Sequence, residues 1–145
     1  MNHIYIGIDP DKAVCIYEKG EYKYKEPEDW QALIDCIKWR PTPDNIIHIA
    51  YERAYGGNKD YLWLNGNLYG RLAQEMGKQG IEVELITSGS WKSVVRKKLD
   101  IPALDMQKKK YIPYIKQHLG DPEMSEHCCD SWGVVQWLLA KEDKE

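Results

Sequence analysis

The sequence predicts an α/β fold: one domain over residues 1–145, built on a five-stranded mixed sheet flanked by helices. Three observations predict it. The N-terminal segment alternates in strand-like runs split by tight turns, which reads as an antiparallel meander of three strands. From Pro27 onward, helical and strand-like patterns alternate, the order that lays helices against the faces of a sheet. A chain of 145 residues, 43% of them hydrophobic, is long enough to bury a core without disulfide staples.

Each element has its own warrant. Ile4-Tyr5-Ile6-Gly7-Ile8 is an apolar run that stops at Asp9-Pro10, and Ala13-Val14-Cys15-Ile16-Tyr17 forms the second strand. Lys19-Gly20-Glu21 turns the chain into a polar third strand over 22–25. Pro27-Glu28-Asp29-Trp30 opens a helix whose apolar positions Trp30, Leu33, Ile34 and Ile37 share one face, and Pro41 and Pro43 follow its end. Ile46-Ile47-His48-Ile49-Ala50-Tyr51 has the near-continuous apolar character of a buried strand, with Glu52 at its end. A loop over 53–60, centred on Gly56-Gly57, leads to a long helix reaching Lys78, with Leu64, Leu68, Leu72 and Met76 as its apolar stripe. Residues 81–86 make the fifth strand, and helical patterns cover 91–99, 106–119 and 125–139, broken at Ile101-Pro102 and Gly120-Asp121-Pro122.

Composition excludes several classes. No stretch approaches the ~18 consecutive apolar residues of a membrane helix, and Met1-Asn2-His3 runs into a strand with no basic region or apolar block of a secretory signal. A cytoplasmic location in a bacterium or a virus-infected host cell is the expectation. Cys15, Cys36, Cys128 and Cys129 form no CxxC pair, so reduced, mostly buried thiols are expected rather than a zinc site. The net charge of −3 argues against a nucleic-acid partner until its distribution is considered. Residues 85–118 hold eight basic side chains (Lys92, Arg96, Lys97, Lys98, Lys108, Lys109, Lys110 and Lys116) and two acidic ones, Asp100 and Asp105. That is a net +6 on a body carrying −9, the footprint of one face that meets phosphates. A solvated helix face carries the same signature.

The residues that bear chemistry are acidic. Asp9 and Glu52 each end an apolar strand; alone, Asp9 reads as a turn residue and Glu52 as a loop charge paired with Arg53. If the two strands are neighbours, both charges point into one cleft and repel unless a cation lies between them. In His127-Cys128-Cys129-Asp130-Ser131-Trp132 the i, i+3 spacing sets His127 and Asp130 on one helix face, with Cys128, Cys129, Trp132, Val135 and Leu139 on the buried side. Three carboxylates and a histidine form a hard-oxygen cage that selects Mg²⁺, with Mn²⁺ able to substitute, and suits two-metal phosphodiester hydrolysis.

These three segments, in this order, resemble the RuvC family of Holliday-junction resolvases within the ribonuclease-H-like superfamily, across nearly the whole chain. Ile6-Gly7-Ile8-Asp9-Pro10 is similar to the family's opening strand, Ala50-Tyr51-Glu52-Arg53-Ala54-Tyr55 to its second motif, and the segment 127–132 to its C-terminal helix. The resemblance implies a ribonuclease-H-like sheet, with Asp9, Glu52 and Asp130 as metal ligands and His127 as a fourth ligand or a group orienting water. It implies Lys92 and one of Lys108, Lys109 and Lys110 beside the scissile phosphate, and Tyr55 on the substrate loop, stacked on a base. Arg53, Arg96 and Lys97 complete the expected DNA-contacting set. The implied activity is a magnesium-dependent endodeoxyribonuclease that resolves four-way junctions and leaves 5′-phosphate and 3′-hydroxyl ends. The implied partners are branched DNA and a second copy of the chain. Asp11 departs from the family's glycine after the Asp-Pro pair, and the overall charge is acidic. Nuclease action on RNA–DNA hybrids or flaps, and silent junction binding, are the alternative readings. Gly66, Gly70, Ala73 and Gly77 form a small-residue stripe on the long helix. Glycine costs ~1 kcal/mol in a helix relative to alanine, so the stripe implies close approach of a partner subunit or of the chain's own sheet.

Overall fold

A computed structural model describes residues 1–10, 13–54 and 57–143. Its strands are β1 (Asn2–Asp9), β2 (Ala13–Glu18), β3 (Glu21–Lys25), β4 (Asn45–Glu52) and β5 (Val83–Ile86). The helices are α1 (Trp30–Ile37), α2 (Lys59–Gly77), α3 (Ser88–Leu99), α4 (Ile112–Leu119) and α5 (Glu126–Asp143), with a 3₁₀ turn at Ala103–Met106. The sheet order is β3-β2-β1-β4-β5. β1, β2 and β3 pair antiparallel, whereas β1–β4 and β4–β5 are parallel. This is the mixed five-stranded α/β sheet that the patterning predicts.

Strand alternation divides the interior into two cores. Ile4, Ile6 and Ile8 of β1 face the side covered by α1 and α2, through Leu33, Ile34, Ile37, Leu68, Leu72 and Met76. Tyr5 of β1, Cys15 of β2 and Ala50 of β4 face the other side, packed by α3, α4 and α5. Each fully buried aliphatic side chain of this kind is worth ~1.5–3 kcal/mol. α1 begins where the Asp29 carboxylate accepts from the Ala32 amide at 2.8 Å, satisfying one of the helix's orphan N–H groups.

α5 lies closest to the sheet, and two glycines permit it. A Cβ on Gly7 would stand 2.5 Å from the Ser131 carbonyl oxygen, and one on Gly133 would stand 2.3 Å from the Trp91 ring. The helix is therefore buried almost all round from Cys128 to Gln136, with Leu138 rather than Leu139 continuing the core.

Other expectations shift for identifiable reasons. The helix expected over 106–119 forms only at Ile112–Leu119. Pro113 has no N–H to give the Lys109 carbonyl, so the helix cannot extend upstream. Instead the chain passes through Lys108 and Lys109 with φ of 51° and 64°, both left-handed. Leu64 is 60% exposed, and Asn65 takes its place in the buried stripe. A strict four-residue repeat drifts by about 40° per step on a 3.6-residue helix, which carries Leu64 off the face that Met76 occupies. Asn65 accepts from the Tyr51 hydroxyl at 3.1 Å and donates to the Tyr61 carbonyl at 3.0 Å, so its burial is satisfied. Trp30, at the first position of α1, is 38% exposed and sits under the Arg71 guanidinium at 4.4 Å. β5 begins at Val83 rather than residue 81, and α3 begins three residues before Trp91. Gly66, Gly70 and Gly77 would carry a Cβ with no atom within 4 Å, whereas Ala73, the fourth member of the stripe, is half-buried against the core on the α1–α2 side.

Candidate active site

Asp9 ends β1 because Pro10 follows it and has no N–H for the ladder. Glu52 ends the parallel neighbour β4, whose register sets Gly7 against Ala50 and Ile8 against Tyr51. Asp9 and Glu52 therefore project from the carboxyl ends of adjacent strands onto the face that α5 covers. Asp130, on the second turn of α5, comes down beside them; Asp9 and Asp130 are 3% and 5% exposed.

Each acid has a defined surrounding. His127 Nδ1 lies 3.1 Å from Asp9 Oδ2, and the imidazole is 43% exposed at the mouth of the site. Asp130 accepts from the Tyr111 hydroxyl at 2.7 Å and from Lys109 Nζ at 2.9 Å. Glu52 is the strained member. Burial first, then the charges of Asp9 and Asp130, push its pKa up to about 8, with Trp91 and Lys92 opposing. Its Oε2 is buried with no hydrogen-bond partner. The Trp91 indole N–H opposes the shift from nearby, although no acceptor lies in normal hydrogen-bond geometry for it.

The basic groups respond to the same field. Burial alone would depress Lys109, but the bond to Asp130, its charge, and those of Asp9 and Glu126 outweigh it and raise the pKa. Burial, then the Asp130 charge, raises Tyr111, which stays a donor at all ordinary pH. Lys109 reaches Asp130 from the left-handed turn, and two consecutive non-glycine residues with positive φ cost on the order of 1–2 kcal/mol each. That strain delivers a cation to a buried carboxylate.

The donor set fits a hard divalent cation. It offers carboxylate oxygens, an unpartnered buried Oε2, and a glutamate whose pKa is raised first by burial and then by the Asp9 and Asp130 charges, the second of which a cation would relieve. The cluster is open rather than closed on one ion. Asp9, Glu52, Asp130 and His127 do not bring three ligand atoms within 4.8 Å of one another, a separation that among the described residues only His3, His48 and Glu142 satisfy.

The remaining expected residues divide by place. Lys92, on the first turns of α3, holds its ammonium 5.2 Å from the Tyr111 ring centre and 5.7 Å from that of Trp91. Arg53 is exposed directly after Glu52, its amide bonded to the Ile86 carbonyl at 2.7 Å. Lys108 and Lys110 flank Lys109 and are exposed. Arg96 and Lys97 stand in the last turn of α3, away from the acids, where Arg96 Nε donates to the Ile101 carbonyl at 3.2 Å. Positive charge there complements the helix C-terminus. Tyr55 and Asp11 lie outside the described residues. Sequence reasoning missed Tyr111 and Trp91. Proximity to Lys109 was the one signal for Tyr111, and nothing in the local pattern marks Trp91.

No protein-family model and no curated protein matches the chain. Solved structures do. A Thermus thermophilus RuvC structure in complex with Holliday-junction substrate matches with a TM-score of 0.62 and 12% identity, over 97% of this chain and 96% of that one. A second Thermus thermophilus RuvC structure matches at 0.56 and 14% identity, with the same coverage. The chain has a RuvC-like, ribonuclease-H-like fold.

Proposed function

We propose that this chain is a structure-selective DNA endonuclease that resolves four-way junctions. The observation that carries the reading is that Asp9, Glu52 and Asp130 stand together at one end of the sheet face that α5 covers, with Asp9 and Asp130 buried and Glu52 Oε2 buried without a partner. In this reading those acids, with His127, hold Mg²⁺, for which Mn²⁺ substitutes. Divalent cations there would supply the Lewis acidity that phosphodiester hydrolysis needs.

The chain's own side chains do the rest. Asp9 fixes the orientation of the His127 ring through Nδ1 at the mouth of the site, where the imidazole serves as a fourth ligand or orients the attacking water. Lys109 and Lys92 supply positive charge where a phosphate would sit, and the Lys109 ammonium can exchange Asp130 for a phosphate oxygen. Tyr111 holds Asp130 at fixed geometry meanwhile. Arg53, Lys108 and Lys110 extend the DNA-contacting rim, Tyr55 is the proposed stacking partner of a base, and Arg96 and Lys97 contribute only distant charge.

The partner copy docks in this reading on the outward face of α2. Gly66, Gly70 and Gly77 are open there, and Trp63 on the same face is 69% exposed. Light scattering tests it: Gly70→Arg should convert a dimer to a monomer.

A synthetic four-way junction, an RNA–DNA hybrid and a flap, each with Mg²⁺ or EDTA, test the activity. The expected result is Mg²⁺-dependent cleavage of the junction above the other substrates, absent in Asp9→Asn. Preference for the hybrid would move the reading to another ribonuclease-H-like nuclease. A second reading, silent junction binding, draws on the saturation of Asp130 by Lys109 and Tyr111; binding without cleavage in Mg²⁺ or Mn²⁺ would establish it.

A further inference from the structure

At the opposite end of the same sheet face stands a second cluster. His3 belongs to the start of β1, His48 to β4 and Glu142 to the last turn of α5. The β1–β4 register sets Tyr5 beside His48, so all of these side chains share the face that α5 covers. His3 Nδ1 lies 3.0 Å from His48 Nε2 and 3.6 Å from Glu142 Oε1, and the three ligand atoms fall within 4.8 Å of one another.

We propose that His3, His48 and Glu142 bind a transition-metal ion of the zinc class, which clamps the C-terminal end of α5 to β1 and β4. Two ligands each ~2.0–2.1 Å from a tetrahedral ion stand roughly 3.3 Å apart, and the observed separations bracket that value. The other oxygen of Glu142 accepts from the Tyr5 hydroxyl, the kind of outer bond that orients a ligating carboxylate. Both imidazoles are pre-aligned. His48 lies near-parallel to both His3, at 5.3 Å, and Tyr5, at 4.7 Å between ring centres.

The ion has a route in. His3 and Glu142 side chains are 41% and 40% exposed, and His48 and Glu142 line a cavity of about 460 Å³ with Glu82 and Glu84. Two imidazoles and one carboxylate favour zinc over magnesium, the reverse of the oxygen-only cluster of Asp9, Glu52 and Asp130. A fourth position stays open to water.

The test is a zinc titration of chelator-treated full-length protein against a chromophoric competitor. Asp9→Asn/Asp130→Asn and His48→Gln are compared with the unaltered chain, and cobalt serves as a spectroscopic substitute. The expected result is one zinc per chain, kept in Asp9→Asn/Asp130→Asn. His48→Gln should weaken binding by about tenfold or more, since even outer partners typically cost ~10–100-fold. His3→Gln, at a half-exposed side chain, repeats the measurement where folding is not at risk. Cobalt should give visible d–d bands without thiolate charge transfer. Unchanged zinc affinity in His48→Gln and His3→Gln would overturn the proposal. So would thiolate charge transfer, which assigns the metal to cysteine, or loss of the zinc in Asp9→Asn/Asp130→Asn alone.

Discussion

β1 and α5 run side by side, and the two ends of that pair make an instructive contrast. At one end Asp9, Glu52 and Asp130 are buried or half-buried carboxylates with a lysine and a tyrosine drawn in against them. At the other, His3, His48 and Glu142 are half-exposed and already within metal-ligand spacing of one another. Both clusters arise from the same device. Side chains of β1 and β4 that face α5 meet residues from one end of the helix, while Gly7 and Ala50 keep the middle thin enough for contact. The acidic end stores electrostatic repulsion; the histidine end is partly solvated and does not. Repulsion among buried like charges is what a strongly held cation relieves, so the acidic end is where reactivity is expected.

The largest expected effect separates the ends outright. Asp130→Asn should cut Mg²⁺-dependent junction cleavage by about 10³-fold or more, at or beyond the ~10²–10³ typical of one electrostatic group. Junction binding, measured by mobility shift in the same samples, should persist. Cleavage at the original rate would dissolve the contrast. The next effect joins the ends. Gly7→Ala forces α5 off the sheet and should cost ~1–3 kcal/mol in denaturant unfolding, by overpacking. Both cleavage and zinc affinity should fall with it. If just one falls, the helix does not couple the clusters.

A pH experiment sharpens the electrostatic half. Glu52 keeps its proton to about pH 8 in the folded chain, against ~4.3 when unfolded. Between those values the folded state binds more protons, so stability should fall as pH rises, with a slope approaching about 1.4 kcal/mol per pH unit. Glu52→Gln should flatten the slope, and Mg²⁺ should oppose it in the unaltered chain; chemical denaturation at several pH values reads both. A variant with the original slope would remove Glu52 as its source. The smallest effect concerns the turn that delivers Lys109. Lys108→Gly relieves a left-handed residue and should raise stability by up to about 1 kcal/mol, leaving cleavage within a factor of a few. A melting-temperature decrease would show that the turn is held by more than backbone preference.

Much of the fold is legible in the chain. Ile4, Ile6 and Ile8 alternate with smaller or polar residues, and the near-continuous apolar run before Glu52 marks a buried strand, whose parallel pairing the structure supplies. Asp9 and Glu52 stand out because a carboxylate after an apolar run is costly unless something compensates it. The misses share a cause. Asn65 displaces Leu64 because a hydroxyl on β4 waits for it, and α4 starts late because Pro113 removes a donor. Lys109 was indistinguishable from Lys108 and Lys110 by charge, and only the left-handed turn decides which ammonium meets Asp130.

By itself, then, the amino-acid order determined the strands, the place of most helices, most of the residues they bury and the acids that break the pattern, because those depend on periodicity and local propensity. Tertiary structure alone decided that the C-terminal end of α5 comes down on the start of β1. It also decided that Tyr111 and Trp91 belong beside the acids, and that His3, His48 and Glu142 meet at all. Residues far apart in the chain carry no local signal of their proximity; close packing of a helix on two glycines creates it.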